Sequence, residues 1–357
     1  MKNFMFAPAG NIARLLAAVL VLCGCVKSEP QKFTGLRSLT LMTWNAHNLF
    51  DGKDDGNEYA EFLQAAGWSE EKYKGRINAF IEAVGKVEPH PDIFLLQEIE
   101  SLQILEDLAL SMPGNFWSHF ANNPDSAIGL GILSRLPLLE AKAHSINIDG
   151  IAVPRPVLEA RIQTENGGII IFVCHWKSKI GGADETENNR KASARVILRR
   201  IREIREEEPE TGIIIAGDLN LNHDDFYRRG PNLVYALLPD DAQAARLAGS
   251  EQTDFIAISG NRPPQPVHFL SETIVLFSPW MEELEKGSYH YRNNWETIDH
   301  FLVSDQFFDN AGWEYEKTVL ADFEPFTRAN GLPNSYNPRT GSGLSDHLPL
   351  LLTLILN

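Results

Sequence analysis

The sequence predicts an α/β chain whose strands are mostly buried on both faces. Short apolar runs bounded by turn residues alternate with stretches of helical periodicity. Most of these runs are apolar at consecutive positions, the pattern of strands covered from both sides. No Pro/Gly/Ser-rich linker, internal repeat or low-complexity tract divides the 357 residues, and 43% apolar with 22% charged residues is ordinary globular composition. One large domain satisfies this. Two packed mixed sheets flanked by helices fit the pattern, and so does a doubly wound sheet; periodicity does not choose between them.

Taken in chain order, the first element lies outside the fold. Lys2 and Arg14 precede an apolar run, Leu15 to Leu22, that has the length of a secretory signal and is too short for a comfortable membrane span. It ends in Leu22-Cys23-Gly24-Cys25, which resembles a bacterial lipobox with Cys25 as the acylated residue. Residues 1–24 are therefore expected to be a lipoprotein signal peptide, 25–37 a tether and 38–357 the folded domain that carries the function. The expected location is exported and membrane-anchored, not membrane-spanning. An ordinary signal peptide with incidental cysteines is the alternative. Cys174 is then the remaining thiol, so no internal disulfide supports the core, and its apolar neighbours mark it as a small buried hydrophobe.

Strands are expected over Leu39–Asn45, Asp92–Ile99, Ile128–Ser134, Pro156–Gln163, Gly168–His175, Gly212–Asp218, Thr297–Ser304 and Leu348–Leu356. Helices are expected over Glu70–Val87, Ser101–Leu110 and Glu187–Glu207, where Ala192, Val196, Ile197, Ile201 and Ile204 recur at helical spacing. A further helix is expected over Pro231–Leu238, with proline at its first position.

The formal charge of -16 becomes about -18 once Lys2 and Arg14 are removed, by subtracting their two positive charges. A protein that coats nucleic acid indiscriminately is basic, so this acidity excludes that class. It accommodates a metal-binding carboxylate cluster.

The chemistry repeats at the ends of the apolar runs. They terminate in Asn45, in Gln97-Glu98, in His175-Trp176-Lys177 and in Gly217-Asp218-Leu219-Asn220, while Asp299-His300 and Ser345-Asp346-His347 precede the last two. Ligands of α/β sheets bind where strand ends converge on one rim. One such Asp is ordinarily a turn or cap residue, but six polar ends on buried strands would each cost desolvation without a ligand. Glu98 and Asp346 offer hard oxygens suited to Mg²⁺, Mn²⁺ or Ca²⁺. His175 and His347 can bond phosphate oxygens or handle protons, Asp299 can orient His347, and Lys177 and Lys179 can hold phosphate as point charges.

Four segments then appear in order: Thr43-Trp44-Asn45-Ala46-His47-Asn48-Leu49-Phe50-Asp51, Leu95-Leu96-Gln97-Glu98-Ile99-Glu100, Gly217-Asp218-Leu219-Asn220 and Ser345-Asp346-His347-Leu348-Pro349. With them the chain resembles the endonuclease/exonuclease/phosphatase superfamily from Thr40 to its C-terminus. Asn48-Leu49-Phe50-Asp51 and His175-Trp176-Lys177-Ser178-Lys179 are similar to its exported bacterial nuclease-like branch. The resemblance implies a four-layer α/β sandwich, two mixed β-sheets packed between helices. It implies Glu98 as principal metal ligand with Asn45 and Asp346 nearby, Asp218 activating water, and Asn220 holding phosphate. His175 would stabilise the transition state, and Asp299 would pair with His347 as the acid–base couple. His300 is expected to pack at the strand start.

Lys177, Lys179, Arg155 and Arg190, with Asn45, are the residues expected to meet substrate. The other arginines between Arg190 and Arg205 read as a solvated helix face paired with acids. Asp51 to Asn57 superficially resembles a calcium loop, but Lys53 and Phe62 stand where oxygen ligands are needed. Trp68, Trp117, Trp280 and Trp313 read as core or rim aromatics, and Trp295 as one that can line the cleft. The expected activity is metal-dependent hydrolysis of phosphodiesters in nucleic acid by a monomer. A small phosphoester, such as a phospholipid headgroup, is the alternative substrate, and an inactive binding lipoprotein is the alternative of another class.

Overall fold

The computed structural model describes residues 35–124, 126–153, 155–230, 235–241, 255–265 and 273–357. The signal-peptide reading and Cys25 lie outside the described residues. In chain order the strands are β1 Ser38–Leu49, β2 Ile93–Ile99, β3 Trp117–Ala121, β4 Gly129–Ser134, β5 Leu138–His144, β6 Asn147–Ile148, β7 Ile151–Ala152, β8 Val157–Thr164 and β9 Gly167–His175. They continue with β10 Gly212–Asp218, β11 Leu237–Pro239, β12 Ile256–Ser259, β13 Val275–Phe277, β14 Tyr289–Tyr291, β15 Asn294–Glu296, β16 Asp299–Val303, β17 Trp313–Leu320 and β18 Leu350–Leu356. Helices are α1 Glu70–Val84, α2 Leu102–Ser111, α3 Glu187–Glu207 and the short α4 Asp225–Arg229.

Two large sheets result, ordered β17-β18-β1-β2-β4-β3 and β11-β12-β13-β16-β10-β9-β8-β5. Each is mixed: β1 runs parallel to β2 and antiparallel to β18, while β10 runs parallel to β9 and antiparallel to β16. The two-residue periodicity of a strand sorts their side chains. Leu39, Leu41, Ile93 and Leu95 of one sheet meet Ile169, Ile171, Val173, Ile214 and Ala216 of the other in a core between the sheets. The intervening Met42, Trp44, Phe94 and Leu96 pack outward under α1 and α2. On the far side Ile170, Phe172, Ile213 and Ile215 pack under α3. This is the expected four-layer sandwich, and it resolves the choice that periodicity left open.

The helices form where their caps and spacing allow. The Ser69 hydroxyl caps α1 by accepting from the Lys72 amide, Glu70 and Glu71 face the helix dipole, and Tyr73, Ile77, Phe80 and Val84 make its buried stripe. In α3 the stripe is Ala194, Ile197, Leu198, Ile201 and Ile204. Among the described residues no helix is long and apolar enough to cross a membrane. The helix expected over Pro231–Leu238 is not found where it can be described. Leu237–Pro239 is a strand paired parallel to Ile256–Ile258, and residues 231–234 lie outside the described residues. Cys174 is a buried free thiol on the α3 side of its sheet.

Candidate active site

Register brings the site together. In β9, β10 and β16, His175, Asp218 and Asp299 stand side by side, His175 opposite Asp218 and Asp218 opposite Asp299. All three continue the set of positions that faces the other sheet, one step beyond Val173, Ala216 and Phe301. Their parity decides against His300, which points the other way and spends Nε2 on the Leu221 carbonyl at 2.8 Å. Gly217 lets β9 and β10 approach here: its φ is +127°, and a Cβ would lie 2.0 Å from the Cys174 carbonyl oxygen.

Asn45 extends from β1 by the same parity, and its Nδ2 donates to both Glu98 Oε1 at 3.1 Å and Asp218 Oδ2 at 3.2 Å. Glu98 is different. Parity would send it under the helices, but its φ of +60° and a register break between Gln97 and Ile99 turn it to the rim. There the Asn48 amide donates to Glu98 Oε2 at 2.8 Å. His175 Nε2 lies 3.5 Å from Asp218 Oδ2 and 3.6 Å from Glu98 Oε1, contacts too long for good hydrogen bonds.

Across the rim, His347 Nδ1 donates to Asp299 Oδ2 at 2.7 Å, and the Ser288 hydroxyl donates to the same oxygen at 2.6 Å. The Ser345–His347 segment is pinned to β1. Ser345 donates to the Asn45 carbonyl at 2.7 Å, and the Trp44 indole donates to the His347 carbonyl at 3.0 Å. Asn220, left-handed at φ +52°, sends its amide N–H to Asp218 Oδ1 at 2.9 Å and its side-chain Nδ2 to the Trp176 carbonyl at 3.1 Å.

Burial of so many ionisable groups sets their protonation. Burial, reinforced by the Asp299 carboxylate, lifts Asp218 to about 7 against the pull of His347 and Arg155. Burial also opposes the His347 cation, but Asp299, Asp346 and Asp218 outweigh it and raise the ring to about 10. His175 is driven well below its ordinary value by burial, then by Arg155, His347 and Lys177. A neutral His175 thus faces a protonated His347.

Of the metal ligands expected from the resemblance, Glu98 and Asn45 are in contact, whereas the half-buried Asp346 pairs with His47 Nδ1 at 3.4 Å. The donors of Asp218, Asp299 and His347 lie within 4.8 Å of one another, a tighter group. One oxygen of it, the buried Asp299 Oδ1, has no hydrogen-bond partner.

The cations expected at the substrate divide. Arg155 donates to the Trp176 carbonyl at 2.6 Å and, with Lys177, Tyr59, Asn57, Ser126 and Asn189, lines a cleft of about 390 Å³ beside the site. Lys179 is committed to the buried Asp225 at 2.8 Å. Arg190 does not meet solvent: it is 0% exposed and spends its donors on Glu187, Thr186 and the Lys177 and Ala183 carbonyls. It therefore holds the loop after β9 instead of reaching substrate. Trp295 packs on the core beside α1 and α2, with the Lys286 ammonium 4.7 Å from its ring.

Sequence reasoning passed over His47, Ser288, Tyr289 and Arg76. Tyr289 stacks on His347 with ring centroids 4.6 Å apart, and Arg76 secures the backbone that presents Asn48 to Glu98. A buried-length arginine within an otherwise apolar helix stripe was the signal available for Arg76. Nothing in the sequence near Ser288 or Tyr289 marks them.

The model of the endonuclease/exonuclease/phosphatase family matches residues 40–228, more than half of the chain. No curated protein matches. Among solved structures, truncated Caenorhabditis elegans TDP2 is 15% identical, with 89% of this chain and 97% of that one covered at a TM-score of 0.51. D. rerio TDP2 complexed with single strand DNA product is 17% identical, with 89% and 98% covered at 0.50. An endonuclease/exonuclease/phosphatase family protein from Bacteroides thetaiotaomicron is 14% identical, with 90% and 98% covered at 0.50. At these identities the likeness is one of fold, and the matched segment carries the membership: the chain belongs to the endonuclease/exonuclease/phosphatase family.

Proposed function

We propose that this chain is a divalent-metal-dependent phosphodiesterase that hydrolyses nucleic acid, exported and held at a membrane through an acylated Cys25. The observation that carries the reading is the His175–Asp218–Asp299 row closed by His347, Asn45 and Glu98: a neutral imidazole, a near-neutral carboxyl and an imidazolium around one polar rim. The fold of D. rerio TDP2, which holds a single strand DNA product, lends support to a polynucleotide substrate.

The residues present fit a hard cation. The donors are carboxylate and amide oxygens with no thiolate, Asp218 and Asp299 repel each other, and the buried Asp299 Oδ1 has no hydrogen-bond partner. Glu98 would hold the ion with Asn45 and Asp346, and Asp218 and Asp299 offer further carboxylate oxygens beside the His347 cation. Such an ion neutralises charge on the phosphoryl oxygens.

The chain's own groups supply the rest. Asp218, poised near neutrality and steadied by the Asn220 amide, accepts a proton from the attacking water. His175 is neutral and offers a hydrogen bond to a phosphoryl oxygen. His347 presents positive charge to the same group, with Asp299 and Ser288 fixing its ring. Arg155 and Lys177 sit where flanking phosphate would lie.

Salt dependence tests the substrate class. On DNA, KM should rise steeply with salt because several backbone phosphates are engaged. Lys177→Ala should lower the logarithmic slope by about one and raise KM more than it lowers kcat. Lys179→Ala should change the slope less, since its ammonium is already paired with Asp225. A salt-insensitive KM on DNA, with faster turnover of a small phosphoester, would replace this reading with the small-substrate alternative.

A further inference from the structure

Strands β14 and β15 form a hairpin separate from both large sheets, closed by the left-handed pair Arg292 (φ 49°) and Asn293 (φ 65°). It is fastened to the catalytic rim. Tyr289 forms an isolated bridge with His347, and the Leu348 amide donates to the Ser288 carbonyl at 2.7 Å. The Tyr289 ring stacks on His347 at 4.6 Å and 30°. Two residues on, and so on the same face of the strand, Tyr291 lies nearly parallel to Tyr289 at 6.3 Å and 14°.

Three rings thus run in file from the buried His347 to Tyr291, which is 50% exposed. An isolated surface tyrosine needs no explanation. This one continues a stack that begins on the His347 imidazole, and the Arg292 guanidinium lies over its ring, 5.1 Å from the centroid, a place a base would take as the guanidinium turns to phosphate. Core packing accounts for the inner rings and leaves the outer one without a function.

We propose that the hairpin is a stacking platform for an unpaired base of the substrate strand, with Tyr291 taking the base face and Arg292 the adjoining phosphate. The proposal rests on the nucleic-acid reading above. An aromatic face is open to any base but not to one already stacked inside a duplex. The site should therefore favour single-stranded or frayed substrate.

Steady-state kinetics on a single-stranded oligonucleotide, its duplex and an abasic oligomer of equal length test the platform. Wild type is expected to show its lowest KM on the single strand. Tyr291→Ala should raise that KM about tenfold, within the range typical of base–aromatic stacking, and should raise KM on the abasic oligomer far less. Tyr291→Trp should stay close to wild type, which also shows that the hairpin tolerates substitution. Equal effects of Tyr291→Ala on the normal and abasic oligomers would overturn the platform while leaving the nuclease reading intact. Failure of wild type to cut any of the three would overturn both.

Discussion

Asp218→Asn and His347→Ala are each expected to lower kcat on a phosphodiester at least about a hundredfold, the scale of losing a positioned base or a preorganised charge. The asparagine is isosteric and keeps one oxygen for the Asn220 amide, so the fold around it is retained, while its NH2 takes the place of the oxygen that accepts from Asn45. Stability should move the opposite way. In the folded chain Asp218 titrates near 7, above its ordinary value of 3.8, because burial and Asp299 penalise its charge. The carboxylate therefore costs stability as pH rises from about 4 to about 7, and the full cost is present above that. Metal-free Asp218→Asn should melt higher than wild type at pH 8 while turning over far more slowly. Asp299→Asn should act differently, through pH. It removes the charge that holds a proton on His347 up to about 10, so the alkaline limb of the rate should move toward neutral pH. Thermal melts and pH–rate profiles read both. Folded variants within threefold of wild-type kcat, with unmoved limbs, would contradict the roles assigned to these side chains.

Arg76→Met is expected to destabilise the protein by about 3 kcal/mol or more and to weaken metal binding. Arg76 is fully buried against the Tyr336 ring, with its guanidinium 3.9 Å from the centroid. It donates to the Ala46 carbonyl at 2.6 Å, the Asn48 carbonyl at 2.5 Å and the His47 carbonyl. His47 and Asn48 are both left-handed, at φ 53° and 57°, a costly arrangement for side-chain-bearing residues. One planar fork gathering three carbonyls offsets that cost and aims the Asn48 amide at Glu98. Methionine fills the volume but leaves the carbonyls unpartnered in a buried place, which is where the estimate of about 3 kcal/mol comes from. Although burial lowers Arg76 to about 10, it stays charged at neutral pH. Arg76→Lys should fall between the two, since an ammonium cannot span three acceptors. Urea unfolding and Mn²⁺ titration calorimetry provide the readings; an unchanged unfolding midpoint in Arg76→Met would sink the claim.

The central strands were legible because their positions are buried on both faces and nothing interrupts them. The bounds read for β10 and α3 coincide with those observed. The edge strands were not legible. In β5 the alternation from Leu139 to His144 rests on two alanines, and the register slips between Leu138 and Glu140; in β17 the slip lies between Tyr315 and Lys317. Such strands carry a weak or interrupted period. The placement of the candidate residues on one rim followed from strand ends wherever parity holds, as at Asn45, His175, Asp218 and Asp299. Glu98 lies at a bulge, so its motif located it while its periodicity pointed away. Charge alone did not reveal that Arg190 is buried, nor that Glu187 and Asp225 already pair with Arg190 and Lys179. The Tyr289–Tyr291 file depends on a bridge to His347, 58 residues on, that no local pattern encodes.

The most direct test of metal-dependent phosphodiester hydrolysis is to strip the purified protein with EDTA and return Mg²⁺ or Mn²⁺ while following cleavage of single-stranded DNA, in wild type and in Glu98→Gln. Wild type should be silent in EDTA and recover saturably as either ion is added, and Glu98→Gln should need at least about tenfold more metal or fail to recover. Equal cleavage with and without EDTA, or identical metal dependence in the two proteins, would contradict the account.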